Sequence, residues 1–167
     1  VEFIVGDIAQ QLTVVYPESK TQIQSATLEY QQEILTTSDS VQKIIESIHP
    51  TQRLVITTHD ALSYFARTFG MQVRTLQGAS TVSEFGLREI TELVDFICEN
   101  KVPAIFLENI VSPQAMESVQ LGCQDKGFNV VLGPELLSDS LGPEADQDTY
   151  LEMLLYNATL LKTYLAP

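Results

Sequence analysis

A chain of 167 residues is long enough for one domain, or one domain with an attached element. With 44% hydrophobic and 19% charged residues it has the material for a real core. A formal charge of −13 leaves nothing to neutralise phosphates, which excludes nucleic acid and docking on anionic lipid. The chain opens abruptly on VEFIVGDIAQQL, and residues 1–16 are expected to be the end of a preceding lobe or a cut edge. Residues 2–15 form a short helix closed by Tyr16-Pro17. Ile23, Ala26, Tyr30, Ile34, Thr37, Val41, Ile45 and Ile48 then recur at intervals of three or four. They predict one narrow stripe on a long helix within residues 17–49, about 45 Å in length at 1.5 Å per residue. His49-Pro50 ends it.

From residue 50 the pattern becomes strand and helix in alternation. RLVIT (53–57) is a continuous apolar run, the mark of a strand covered on both faces. Ala61, Leu62, Phe65, Ala66 and Phe69 give a helix face, with Gly70 as its stop. MQVRTL (71–76) alternates like a half-exposed edge strand. Leu87, Ile90, Leu93, Val94 and Ile97 mark the next helix. AIFLE (104–108) is again a covered strand, the set Ala115, Met116, Val119 and Cys123 a helix, and FNVVLG (128–133) a fourth strand. A loop rich in Gly, Pro and acids spans 133–148, and Leu151, Leu154, Ala158, Leu161 and Leu165 form a terminal helix.

Short connections between alternating strands and helices imply an α/β lobe: a four-stranded parallel sheet flanked by helices, Rossmann-like, preceded by the long helix. The edge character of the second strand gives the order 2-1-3-4. Its topological switch point then lies between strands one and three, outside their carboxyl ends. Those ends deliver Thr57, Thr58, His59 and Asp60, then Gln77 and Gly78 with ASTVSEFG, then Glu108 and Asn109, then Asp139. An imidazole with one or two carboxylates suits a borderline divalent metal. The plainer reading makes His59 a helix-end residue, with Asp60 or Thr58 capping helix 61–69. His49 is expected to sit at a helix end, where an imidazolium meets the dipole favourably.

Other chemistries score lower. There is no GxxxxGK[ST], GxGxxG or GxSxG pattern. Ser63 lies one helical turn after His59, but it falls within a helix and not on an exposed elbow. Asp139, Glu144, Asp146 and Asp148 do not fit a calcium loop. Cys98 and Cys123 form no CxxC pair; two buried or half-buried thiols are expected, with a single disulfide left open.

The runs HDALSYFAR.FG, GASTVSE, IFLENIVS and LLSDSLG, in this order, resemble the C-terminal lobe of the zinc-, manganese- and iron-binding solute-binding proteins of ABC transporters. The likeness covers residues 53–165, and YPESKTQIQSATLEYQQEIL resembles the long helix that joins the two lobes of that family. It implies 17–49 as the connecting helix and 50–167 as the metal-binding lobe. It also implies extracytoplasmic metal capture and delivery to an ABC transporter permease, with no catalysis, in the periplasm or on a lipid anchor. In the family four side chains close on one ion, two from each lobe. His59 and Asp139 stand at the positions of the C-lobe ligands, and Glu108 matches a glutamate taken to orient His59 through its other ring nitrogen.

No histidine precedes Pro17, so the two N-lobe ligands are expected to be missing and metal binding by this chain alone to be weak. The implied ion is zinc, manganese or iron. Two other readings compete: a surface adhesin, and a metal-dependent hydrolase using His59, Glu108 and Asp139, which lacks an independent base.

Overall fold

The structure is a computed structural model that describes residues 1–76, 86–109 and 112–166. The first helix, α1 (Glu2–Val15), stops at Tyr16, and Pro17 opens a 3-10 turn, Pro17–Ser19. Proline is tolerated there because the first N–H of a helix has no partner to lose. The long helix α2 (Lys20–Glu46) follows. Its stripe is buried over only part of its length. Ile34, Val41 and Ile45 are buried, and Ile48 just beyond the helix is too, whereas Ala26 and Tyr30 are exposed. Helix α1 packs along α2, and the buried positions of the stripe all lie in its second half.

Arg53 satisfies the end of α2. Its Nε donates to Ile48 O at 2.9 Å and its Nη2 to Glu46 O at 3.0 Å, two carbonyls that the helix leaves without partners. His49 does not serve that end. It lies beyond the C-cap Ser47, and its Nδ1 accepts from Thr51 N at the start of the 3-10 turn Pro50–Gln52.

The alternating half contains β1 (Leu54–Thr57), α3 (Ser63–Phe69), β2 (Gln72–Thr75), α4 (Leu87–Asn100), β3 (Ala104–Glu108), α5 (Gln114–Asp125), β4 (Val131–Leu136) and α6 (Tyr150–Leu165). Gly70 ends α3 at φ 70°, a left-handed conformation that costs glycine little. The strands are parallel, and their spatial order is the expected 2-1-3-4. Their backbone ladders differ from that expectation. Among the described residues the ladders form two pairs, β1 with β2 and β3 with β4, with β1 lying beside β3. At the carboxyl end of that seam a side chain joins the strands: the Glu108 carboxylate accepts from Thr58 N and His59 N.

Strand β4 begins three residues later than the apolar run implied, and it continues through Gly133-Pro134, a pair that reads as a strand stop. Two features admit it. Phe106 pairs with Gly133 and Leu107 with Glu135, so Pro134 falls in a bulge where no ladder N–H is required. Gly133 lies against the Phe106 ring, where a Cβ would stand 2.8 Å from Cδ1. The loop before α6 is correspondingly shorter, with Glu144, Asp146 and Asp148 exposed on it. The second-strand loop Gln77, Gly78 and ASTVSE lies outside the described residues.

Alternate residues of each covered strand face different cores. Val55, Ala104 and Phe106 pack with α2, α3 and α6; Ile56 and Ile105 pack with α4 and α5. The strands thus have helices on both faces, and their carboxyl ends share one edge.

Cys98 and Cys123 are free thiols on the facing helices α4 and α5. Burial, then the neighbouring Cys98 thiol, pushes Cys123 up to about 12. A thiol with that value is about 10⁻⁴ thiolate at pH 8, against about a quarter for an unperturbed one. A thiolate of higher pKa is also the better nucleophile, so alkylation of native Cys123 by iodoacetamide at pH 8 is expected to run about 10²-fold slower than in the urea-unfolded chain. Peptide mass spectrometry reads this directly. Modification at the unfolded rate would mean that the α4–α5 contact opens freely.

Candidate metal centre

Strand β1 is buried to its end, and the chain then bends through Thr58, His59 and Asp60 before α3 begins at Ser63. His59 is 3% exposed, which is unusual for an imidazole. Each of its nitrogens faces a carboxylate. Nδ1 stands 2.8 Å from Glu108 Oε1, and Nε2 stands 3.3 Å from Asp139 Oδ2.

The first contact is close but poorly aligned for a hydrogen bond, and neither buried atom has another partner among the described residues. Glu108 is only 1% exposed. Its other oxygen, Oε2, accepts the backbone N–H of Thr58 at 3.0 Å and of His59 at 2.9 Å. One carboxylate thus grips the backbone of the β1 end and faces the ring carried there. Burial raises the Glu108 carboxyl above the ordinary carboxylate range, and the bonds from the His59 backbone and ring, then from Thr58 N, oppose that rise.

Asp139 is the exposed partner, its side chain 58% accessible, so its carboxylate meets solvent while touching the buried ring. The three residues expected from the sequence are therefore together at one point of the carboxyl edge, on β1, β3 and the segment after β4. One expectation nearby is corrected. Leu62 occupies the N-cap of α3 without a side-chain cap bond, so neither Asp60 nor Thr58 caps that helix. Asp60 instead accepts from the Ser63 hydroxyl, which ties that hydroxyl to a carboxylate and not to His59.

The distance between the two outward donors suits a weak hydrogen bond and also two neighbours on one ion. Two ligands of one zinc, each at about 2.0–2.1 Å and at the tetrahedral angle, stand about 3.3–3.4 Å apart. His59 Nε2 and Asp139 Oδ2 are 3.3 Å apart. Glu108 completes the usual arrangement behind such a histidine, a carboxylate facing the ring nitrogen that does not coordinate. Among the described residues, however, no group of three or more His, Cys, Asp and Glu side chains is arranged to hold an ion. The described donors toward solvent are two.

Residues 1–164 match the family described as zinc-uptake complex component A, periplasmic (ZnuA). The chain belongs to this ZnuA family. It is 33% identical over 156 residues to the manganese-binding lipoprotein MntA of Bacillus subtilis (strain 168), covering 93% of this chain and 51% of that protein. It is 35% identical over 138 residues to the zinc-binding protein TroA of Treponema pallidum (strain Nichols), covering 82% of this chain and 45% of that protein. The solved structure of periplasmic TroA superposes with a TM-score of 0.95 at 30% identity, over 99% of this chain and 60% of that one. The chain spans about half the length of the curated relatives it matches.

The ZnuA family is described as a component of a periplasmic zinc-uptake complex. No described helix is long and apolar enough to cross a membrane.

Two residues carry roles that the sequence reading does not assign: Asn157, which it does not name, and Asn109, which it only places at a strand end. Asn157, 2% exposed on α6, accepts from Leu137 N at 2.9 Å and donates to Leu137 O at 2.7 Å. Asn109, at the end of β3, holds the segment that carries Asp139: its Oδ1 accepts from Ser138 N at 3.2 Å, and its Nδ2 donates to Ser140 Oγ at 2.6 Å. The signal for Asn157 was present. It falls in register with Leu154, Ala158, Leu161 and Leu165, a polar residue on an otherwise apolar helix face. A polar group there is retained only if it is fully bonded.

Proposed function

We propose that this chain is the C-terminal lobe, with its connecting helix, of a metal-capturing protein that feeds an ABC transporter permease. His59 Nε2 and Asp139 Oδ2 supply half of the ion's donors, and a preceding lobe supplies the other half. The observation that carries this reading is the 3.3 Å pair, one donor buried and one exposed, at the carboxyl edge of the strands. It has the spacing of two neighbours on a single tetrahedral ion. With a proton on Nδ1, facing the Glu108 carboxylate 2.8 Å away, the Nε2 lone pair is left for the cargo.

Three further features support the domain reading. The relatives are about twice as long as this chain. Helix α1 presents Phe3 at 89%, Ile4 at 60%, Val14 at 73% and Val15 at 63% exposure, a patch of the kind that another lobe covers. Helix α2, 27 residues or about 40 Å long, is stiff enough to fix the distance between two lobes. Residues 1–16 then belong to the preceding lobe and 50–167 to this one.

An imidazole with a carboxylate suits zinc, manganese and iron alike. Relatives named for manganese and for zinc match this chain at similar identity, so the ion's identity rests on the donors of the other lobe. The protein works outside the cytoplasmic membrane, in the periplasm or tethered by lipid, as its relatives' names describe.

Calorimetric titration with zinc, manganese and iron tests the proposal on this chain and on the protein extended through its preceding lobe. Tight binding is expected only in the extended form, with this chain alone weaker than micromolar. Submicromolar binding by this chain would mean that its donor set is complete. No binding by either form would remove the metal reading altogether.

A further inference from the structure

We infer that Asn109 and Asn157 are positioning residues: together they clamp the segment 137–140 so that Asp139 stands at ligand distance from His59. The inference rests on the reading of His59 and Asp139 as donors. Residues 137–149 belong to no helix or strand, and such a segment pays conformational entropy for any fixed geometry. The Asp139 carboxylate cannot fix itself, since its side chain is largely in solvent and its ring contact is a single 3.3 Å approach.

The backbone around it is nevertheless held on both sides. Upstream, Asn157 closes a two-bond ring on Leu137, its carbonyl taking the N–H and its amide giving to the C=O. Only an amide side chain offers both a donor and an acceptor in this fork. Its burial on the apolar face of α6 is tolerable because both ends are satisfied. Downstream, Asn109 spans Ser138 N, Ser140 O and Ser140 Oγ, at 3.2, 3.3 and 2.6 Å. Its own N–H donates to Leu136 O at 3.2 Å.

The consecutive residues Glu108 and Asn109 thereby act in opposite directions from the end of β3. Glu108 fixes the backbone of His59 toward β1; Asn109 fixes the backbone flanking Asp139 toward β4. Both ends of the donor pair are referred to one rigid strand end. Preorganisation of this kind reduces what binding must spend on ordering a ligand.

A double-mutant cycle tests this in the protein extended through its preceding lobe, with zinc as the probe and affinity read by competition with a chelator. Asn109→Ala is expected to weaken zinc binding 10–100-fold, the usual effect of removing a group that orients a ligand. In an Asp139→Ala background the same change is expected to cost less than about twofold, since the residue it positions is gone. Ser140→Ala, at an exposed site that leaves the fold alone, removes only the 2.6 Å bond. It should weaken binding about 3–10-fold, again only when Asp139 is present. Equal losses in both backgrounds would make Asn109 a general fold residue, and no loss in either would make the clamp irrelevant; both outcomes overturn the inference. If Asp139→Ala alone leaves zinc affinity unchanged, the donor reading beneath it has failed as well, which separates the two failures.

Discussion

His59→Ala is expected to weaken zinc binding by the two-lobe protein about 100-fold or more. The magnitude follows from sharing out a complete site. A four-ligand structural zinc in small peptides is held by about 10–16 kcal/mol, or about 3 kcal/mol per ligand. Three kilocalories correspond to about a hundredfold in dissociation constant. His59 warrants the upper end because of its surroundings. The ring is 3% exposed and faces Glu108, so its nitrogen is held in place before the ion arrives. Asp139→Ala should cost less. Its carboxylate is largely solvated, and water, an oxygen donor, can stand in for it.

Removing the ring also leaves Glu108 Oε1 facing a void, so the variant must be titrated for stoichiometry, which reports the folded fraction separately from affinity. Unchanged affinity at full stoichiometry would show that the cation does not sit at Nε2. Manganese should be affected less than zinc, because oxygen donors suit it better and nitrogen contributes less of its binding.

How much of this was legible in the chain differs from residue to residue. The alternation of covered strands with helices was enough to order the sheet 2-1-3-4 and to put His59, Glu108 and Asp139 on one edge, because strand ends in such a sheet converge by topology. The frame of β4 was not legible. Gly133-Pro134 carries a stop signal in sequence, and only the bulge opposite Phe106 and Leu107 makes it a strand. The extent of the α2 stripe was also hidden, since periodicity shows that a face exists and not what lies beneath it.

The largest omission concerns hydrogen bonds from side chain to backbone over long separations. Glu108 to Thr58 spans 50 residues, and Asn109 to Ser138 spans 29. No local pattern encodes such pairs. Asn157 was the exception, betrayed by its place on an apolar stripe.

Glu108 offers the second large effect, and two substitutions divide its roles. Glu108→Ala strands the buried N–H groups of Thr58 and His59, which together have no other acceptor in view. A buried donor left unmade costs about 1–3 kcal/mol. Two such donors, offset in part by no longer burying a carboxylate, give a net destabilisation of about 2–4 kcal/mol. That is a large fraction of the about 5–15 kcal/mol available to a typical domain. Chemical denaturation should show it as a lower midpoint with an unchanged slope.

Glu108→Gln should behave differently. The amide carbonyl can still accept both N–H groups, so stability should stay within about 1 kcal/mol of the parent. Its NH₂ group, however, then faces His59 Nδ1 from the place of Oε1 and can donate to it, where the carboxylate offered acceptors only. The ring proton is driven to Nε2, where it covers the lone pair that the cation needs. Zinc affinity is therefore expected to fall 10–100-fold in a protein that folds normally. Loss of stability in Gln equal to that in Ala would show that the negative charge itself holds the β1–β3 seam. Full zinc affinity in Gln would show that Glu108 is a backbone clamp alone, with no hand in which nitrogen of His59 carries the proton.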